Sequence, residues 1–96
     1  MIFRQPNSRI YVSDQGFKIE FYGRSQIRYY ESDKQMEILT EVGGESGIDL
    51  HVDSIHNWQP PYDNIYIDKN QRQQIVSNII EILEFAGFKN INLIHY

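Results

Sequence analysis

"DKNQRQQIVSNIIEILEFAGF", residues 68–88, carries the longest run of apolar residues at helical spacing in the chain. Asp68 is placed to cap a helix N-terminus, and Gln71, three residues on, is the other half of a capping box. Ile75, Val76, Ile79, Ile80, Ile82, Leu83 and Ala86 form a broad apolar stripe. Arg72, Gln73, Ser77, Asn78, Glu81 and Glu84 are expected to face water. Gly87 offers the left-handed stop, and Phe88 can fold back onto the last turn. A helix of about 18 residues is ~27 Å long, enough to cross a small sheet. Its stripe has to be buried against something.

The residues before it alternate, which is the pattern of a half-buried sheet. Arg9 to Ser13 reads as a strand with Ile10 and Val12 on one face. After a turn at Asp14-Gln15-Gly16, Phe17, Ile19 and Phe21 line the inner face of the next strand, with Lys18, Glu20 and Tyr22 opposite. Ile27 and Tyr29 oppose Arg28 and Tyr30 in a third strand. Met36 and Ile38 continue the inner face in a fourth, with Leu39 an exception. Ile48, Leu50 and Val52 line a fifth. Turn residues between short strands predict an antiparallel meander. Ser54 to Asn64 breaks the pattern, because Pro60 and Pro61 remove two backbone donors. Ile65-Tyr66-Ile67 is read as a brief strand, and Asn90 to His95 as a final one. If that strand pairs in parallel with an earlier one, the crossover is expected to be right-handed. The expected architecture is α+β: an antiparallel β-meander sheet packed on one long C-terminal helix, followed by a final strand. Residues 1–96 form a single domain.

Composition narrows the function classes. The chain has no Cys, which excludes disulfides, thiolate zinc sites and cysteine nucleophiles. The residues after Met1 lack the charged start and apolar core of a signal peptide. No apolar run approaches the ~20 residues of a membrane span. These features predict a cytoplasmic protein, complete from its first Met, with no membrane partner. The net charge of −4 argues against nucleic acid, which needs clustered Lys and Arg. The distribution is lopsided: from Gln35 to Asp68 there are seven acidic residues and neither Lys nor Arg. Like charges held together are offset by a basic partner, which they also steer into contact.

Candidate chemistry centres on Asp49, His51 and Asp53, at every second position of the fifth strand. Alternation puts all three on the outward face. Neighbours on one strand face lie ~6.5–7 Å apart, wide for ligands of one small cation. Tetrahedral zinc usually takes two or more His or Cys, and His56 lies beyond the strand end. The plain reading is a solvated or partner-facing strand; a small metal-dependent enzyme using Asp49, His51 and Asp53 is the alternative. No serine has a nucleophile-elbow context, and the Gly43–Gly47 loop has no Walker lysine after it. No cofactor is expected. Trp58 is either a packed corner or an exposed anchor. Tyr11, Tyr22, Tyr30, Tyr66 and Tyr96 are expected to point away from the helix. A sheet with one face covered leaves the other for water, a partner or self-association.

Asp53-Ser54-Ile55, Trp58, the Pro60-Pro61 corner, Ile65, Arg72, Ile75 and a helix ending at Gly87 come in that order. The stretch "DSIHNWQPPYDNIYIDKNQRQQIVSNIIEILEFAGF", residues 53–88, resembles the carboxy-terminal part of the immunity protein 74 family. Those proteins are associated with bacterial polymorphic-toxin and contact-dependent growth inhibition systems. The resemblance implies a cytoplasmic antidote without catalysis of its own, which binds a cognate toxin domain and blocks it. Many such toxins are nucleases with basic grooves, so an acidic surface suits the partner. The residues expected to make that surface are Glu41, Glu45, Asp49, His51 and Asp53, with Tyr22 and Tyr30 as aromatic contacts.

Overall fold

A computed structural model describes residues 3–23, 25–43 and 47–95. The strands are β1 (Phe3–Asn7), β2 (Ile10–Ser13), β3 (Phe17–Tyr22), β4 (Gln26–Glu31), β5 (Lys34–Val42), β6 (Gly47–His51) and β7 (Asn90–Ile94). A 3-10 turn (Val52–Ser54) follows β6, and α1 (Lys69–Phe85) precedes β7. The seven strands lie in sequence order in one sheet. Pairing is antiparallel from β1 to β6, and β7 returns after the helix to pair in parallel with β6. The α+β meander with a single long helix and a final strand is therefore the architecture observed.

The helix forms where its capping chemistry says it should. The Asp68 carboxylate accepts from the Gln71 N–H at 2.7 Å. At the other end Gly87 sits at φ 103°. The Gly87 N–H donates to the Glu84 carbonyl at 3.1 Å, and the Phe88 N–H donates to that of Leu83 at 3.0 Å. Those two bonds make a Schellman stop, and Phe88 then stacks on Phe21 with centroids 6.0 Å apart. Asp68→Ala should cost about 1 kcal/mol through loss of the cap. Gly87→Ala should cost about as much, because its side chain would be held at positive φ. Urea titrations of the two variants measure both losses.

The core is the space between the helix and the inner face of the sheet. Ile19, Ile27, Ile38, Leu50, Ile79 and Leu83 are fully buried there. Trp58, 1% exposed, belongs to this core. Its ring stacks on Tyr29 at 6.3 Å and 28°, so the Trp-Pro corner is a packed one. The Gln59 N–H donates to the Gln35 carbonyl at 2.7 Å, and the Tyr62 hydroxyl bonds the Asp33 carboxylate. Together these hold the corner against the turn between β4 and β5.

Several expectations change. Phe3–Asn7 is a strand, although it contains Pro6. As β1 is an edge strand with a register break between Arg4 and Asn7, a missing donor is tolerated there. Tyr11 lies opposite Ile19 and packs edge-on against Phe21 and Phe85, so it points toward the helix rather than away. Ile10 and Val12 take the outer face instead, opposite Glu20 and Lys18. Asn78, expected in water, is buried. Its amide donates to the Tyr29 hydroxyl at 2.9 Å and its carbonyl accepts from Gln74 at 3.0 Å. The Tyr29 hydroxyl in turn donates to Glu31 at 2.6 Å. A polar residue inside the apolar stripe is accommodated because each of its groups has a partner. Ile65–Ile67 is not a strand; Tyr66 there is 81% exposed. Tyr96 and Glu45 lie outside the described residues.

Candidate functional site: the outer face of the sheet

The face turned away from the helix is built by the pleat. On β3, β4 and β5 the buried residues alternate with exposed or half-buried ones. Register then decides which outward residues meet. Glu20, Arg28 and Glu37 form one row across β3, β4 and β5. Tyr22, Gln26 and Leu39 form the next. Glu41 lies directly opposite Asp49 across β5 and β6, and Asp49 lies beside Asn92 of β7.

At the centre of this face the charged groups pair with one another. Arg28 forms an ion pair with Glu37 at 2.9 Å and sits 4.5 Å from the centre of the Tyr22 ring. Gln26 donates to the second oxygen of Glu37 at 2.7 Å. The Glu37 carboxylate is the main reason the Arg28 guanidinium is held above its ordinary pKa. Glu20 accepts from the hydroxyls of Tyr22 and Tyr30 at 3.1 and 3.0 Å. Lys18 covers the Tyr30 ring at 4.6 Å. Burial pushes the Tyr30 hydroxyl up to about 12, with its acceptor Glu20 acting in the same direction. Tyr22 and Tyr30 are thus held in fixed positions by partners on the same face.

The β5–β6 end is different. Glu41 is exposed and Asp49 half-buried. Asp49 accepts from the Asn92 amide at 3.1 Å. Among the described residues neither carboxylate is paired with Lys or Arg. Residues opposed across an antiparallel pair lie about 5 Å apart, where two like charges are destabilising. They border a hollow of about 310 Å³ with Asn90, Asn92, Gly43 and Gly47. The Gly43 N–H donates to the Gly47 carbonyl at 3.0 Å, so the end of β5 and the start of β6 are bonded there.

Asp53 departs from its neighbours. The strand ends at His51, and Val52–Ser54 is a 3-10 turn. The Ser54 hydroxyl causes the break: it donates to the His51 carbonyl at 2.6 Å and accepts from the Leu39 N–H at 3.0 Å. In doing so it replaces the next rung of the β-ladder. Asp53 consequently lines a groove with Lys69 and Arg72 of the helix. Among the described residues no three His, Asp or Glu side chains form a group able to hold a metal ion. The arrangement of Asp49, His51 and Asp53 on a single strand face, on which the metal-enzyme alternative rested, is not the one observed.

The residue that sequence reasoning passed over is Leu39. It is 52% exposed on the outer face of β5, between Glu37 and Glu41 on the same side of the strand. Its break in the alternation was the available signal: an apolar residue at an outward position, flanked by carboxylates.

A face of this kind, with an exposed Leu among carboxylates and fixed tyrosines, has the chemistry of a binding surface. The family model for immunity protein 74 matches residues 18–91 of the 96. The chain belongs to the immunity protein 74 family. The match runs from β3 into β7, so the immunity protein 74 region includes Tyr22, Tyr30, Glu41, Asp49, His51, Asp53 and the Trp-Pro corner. Immunity protein 74 membership implies an immunity protein directed against a toxin. No curated protein and no solved structure matches the chain. No described helix is long and apolar enough to cross a membrane.

Proposed function

We propose that this immunity protein acts in the cytoplasm as a non-catalytic inhibitor that captures a basic toxin domain, a nuclease, on the outer face of its sheet. Capture there occludes the toxin's active site. The observation that carries this reading is the opposed pair Glu41 and Asp49, held about a strand spacing apart and, among the described residues, without an ion-paired Lys or Arg at either. Glu45, between them in the sequence, is proposed to add a third carboxylate. His51 follows on the same strand. Lys and Arg of the toxin would form charge-assisted bonds with these carboxylates. Leu39, with Tyr22 and Tyr30, supplies dehydrated contact area in the middle of the polar surround. Asp53 stands apart in its turn and contributes from the helix side.

Calorimetric titration of the isolated cognate toxin domain tests this. One-to-one binding that weakens steeply between 0.1 and 0.5 M salt is expected, because screening shortens from about 10 Å toward 3 Å. Leu39→Ala should weaken binding roughly tenfold while leaving the thermal midpoint unchanged, since an exposed side chain contributes little to folding. Salt-insensitive binding that also ignores Leu39 would place the toxin elsewhere on the molecule.

A further inference from the structure

The two edges of the sheet are built differently. β1 carries Pro6, which has no N–H to offer, and its register with β2 breaks between Arg4 and Asn7. Proline and irregularity are how edge strands are protected from pairing with another chain. β7 has neither. Its sequence is Asn-Ile-Asn-Leu-Ile, and it pairs with β6 over five consecutive residues without a break. It contains no Pro, no Gly and no charged residue, and it is the last strand in the sheet order.

Beside this open edge lies a groove of about 320 Å³ on the helix side. Its apolar lining is Val52, Val76 and Leu93. Leu93 is 41% exposed although it sits opposite the fully buried Leu50. The helix therefore leaves the inner face of β7 partly uncovered. Lys69 and Arg72 also line the groove, against the single carboxylate of Asp53. Among the described residues the Arg72 Nε, like that of Arg28, is buried and has no hydrogen-bond partner. An unpartnered buried donor is costly, and most such groups in native proteins have one. This end of a chain of net charge −4 is thus locally cationic, with a donor left unmade beside an apolar hollow.

We propose that the β7 edge and this groove are a second docking site, which takes an extended segment of the cognate toxin alternating apolar and acidic side chains. The segment adds as an eighth strand. Its backbone pairs with β7 over about 17 Å, the length of five residues. An apolar side chain covers Leu93 and Val76, and a carboxylate reaches Arg72 and Lys69. The site adjoins the acidic face, since Asn92 of β7 is bonded to Asp49, so one partner can engage both. The choice of toxin as occupant rests on the reading above; the chemistry of the site does not.

The test uses the full chain and a blocked heptapeptide of alternating valine and glutamate, followed by backbone amide NMR. Shifts should concentrate at Ile91–Ile94 and on α1 near Arg72 and Val76. The same peptide with lysine in place of glutamate should bind at least tenfold more weakly. Arg72→Gln and Leu93→Ser should each weaken the glutamate peptide about tenfold. Equal binding of both peptides, shifts confined to the Glu41–Asp49 face, or no shifts would overturn the proposal. So would a concentration-dependent dimer that protects the β7 amides, which would assign the edge to a second copy. If the peptide fails but toxin association still depends on Glu41 and Asp49, only the second site falls. If the peptide docks on β7 and the toxin binds neither surface, the toxin reading falls instead.

Discussion

Changing Glu41 or Asp49 to lysine is expected to slow capture of the toxin while making the free protein more stable. The two carboxylates face each other across β5 and β6. Placing one Lys opposite the remaining carboxylate turns a repulsive cross-strand pair into an attractive one. Such pairs contribute roughly 0.2–1 kcal/mol, so each single variant should melt slightly higher. The approaching toxin meets the opposite change. Charge steering raises association rates by about 10- to 1000-fold over a neutral encounter. Losing one negative charge and gaining a positive one in the same place should slow association at least tenfold in low salt. In high salt the difference should shrink as screening removes the steering. The double variant restores a like-charge pair, now positive, so its stability returns toward that of the parent while its association is slowest of all. Stopped-flow association with the isolated toxin domain, with thermal melts of the free protein, separates these effects. Variants that bind at the parent rate, or that lose both stability and binding together, would contradict a built docking pair.

The largest effect on the fold should come from Trp58→Ala. The indole is 1% exposed, stacks on Tyr29 and has Lys34 5.6 Å from its ring centre. Removing a buried Trp side chain typically costs about 3–5 kcal/mol, from lost transfer energy and the cavity left behind. A domain of this size has a total stability of about 5–15 kcal/mol. At roughly 4–8 °C per kcal/mol, the midpoint should fall by something on the order of 15–30 °C. Circular dichroism melts measure this. Trp58→Phe should lose less, because a ring remains to lie against Tyr29. A loss under about 1 kcal/mol in the alanine variant would mean that the corner is not part of the cooperative core.

Most of the fold was legible from spacing and capping. Asp68, the stripe from Ile75 to Leu83, and Gly87 mark α1 because helix ends need caps and helix faces repeat every 3.6 residues. Period-two alternation located β2 to β6 for the same kind of reason. What escaped were residues whose environment depends on distant partners. Tyr11 on β2 was expected to point away from the helix; pairing with Ile19 turns it inward. Asn78 is polar, and only the Tyr29 hydroxyl, 49 residues away in sequence, makes its burial acceptable. Phe3–Asn7 forms a strand that no period-two alternation marks, and its edge position accommodates Pro6.

The candidate site divides along the same line. The sequence by itself determined that seven carboxylates fall in one stretch without a cation, and that one side of each strand faces away from the helix. Both are local properties of order and period. Only the tertiary structure decided how those charges sort. Glu37 is paired with Arg28, Asp68 is used to cap the helix, and Asp53 is turned into the groove. Glu41 and Asp49 are brought face to face, with Leu39 two residues from Glu41 on the same side of β5. The physical reason is that register between strands, and the point at which Ser54 ends the β5–β6 ladder, are set by hydrogen bonds between residues far apart in the chain, which no local pattern encodes.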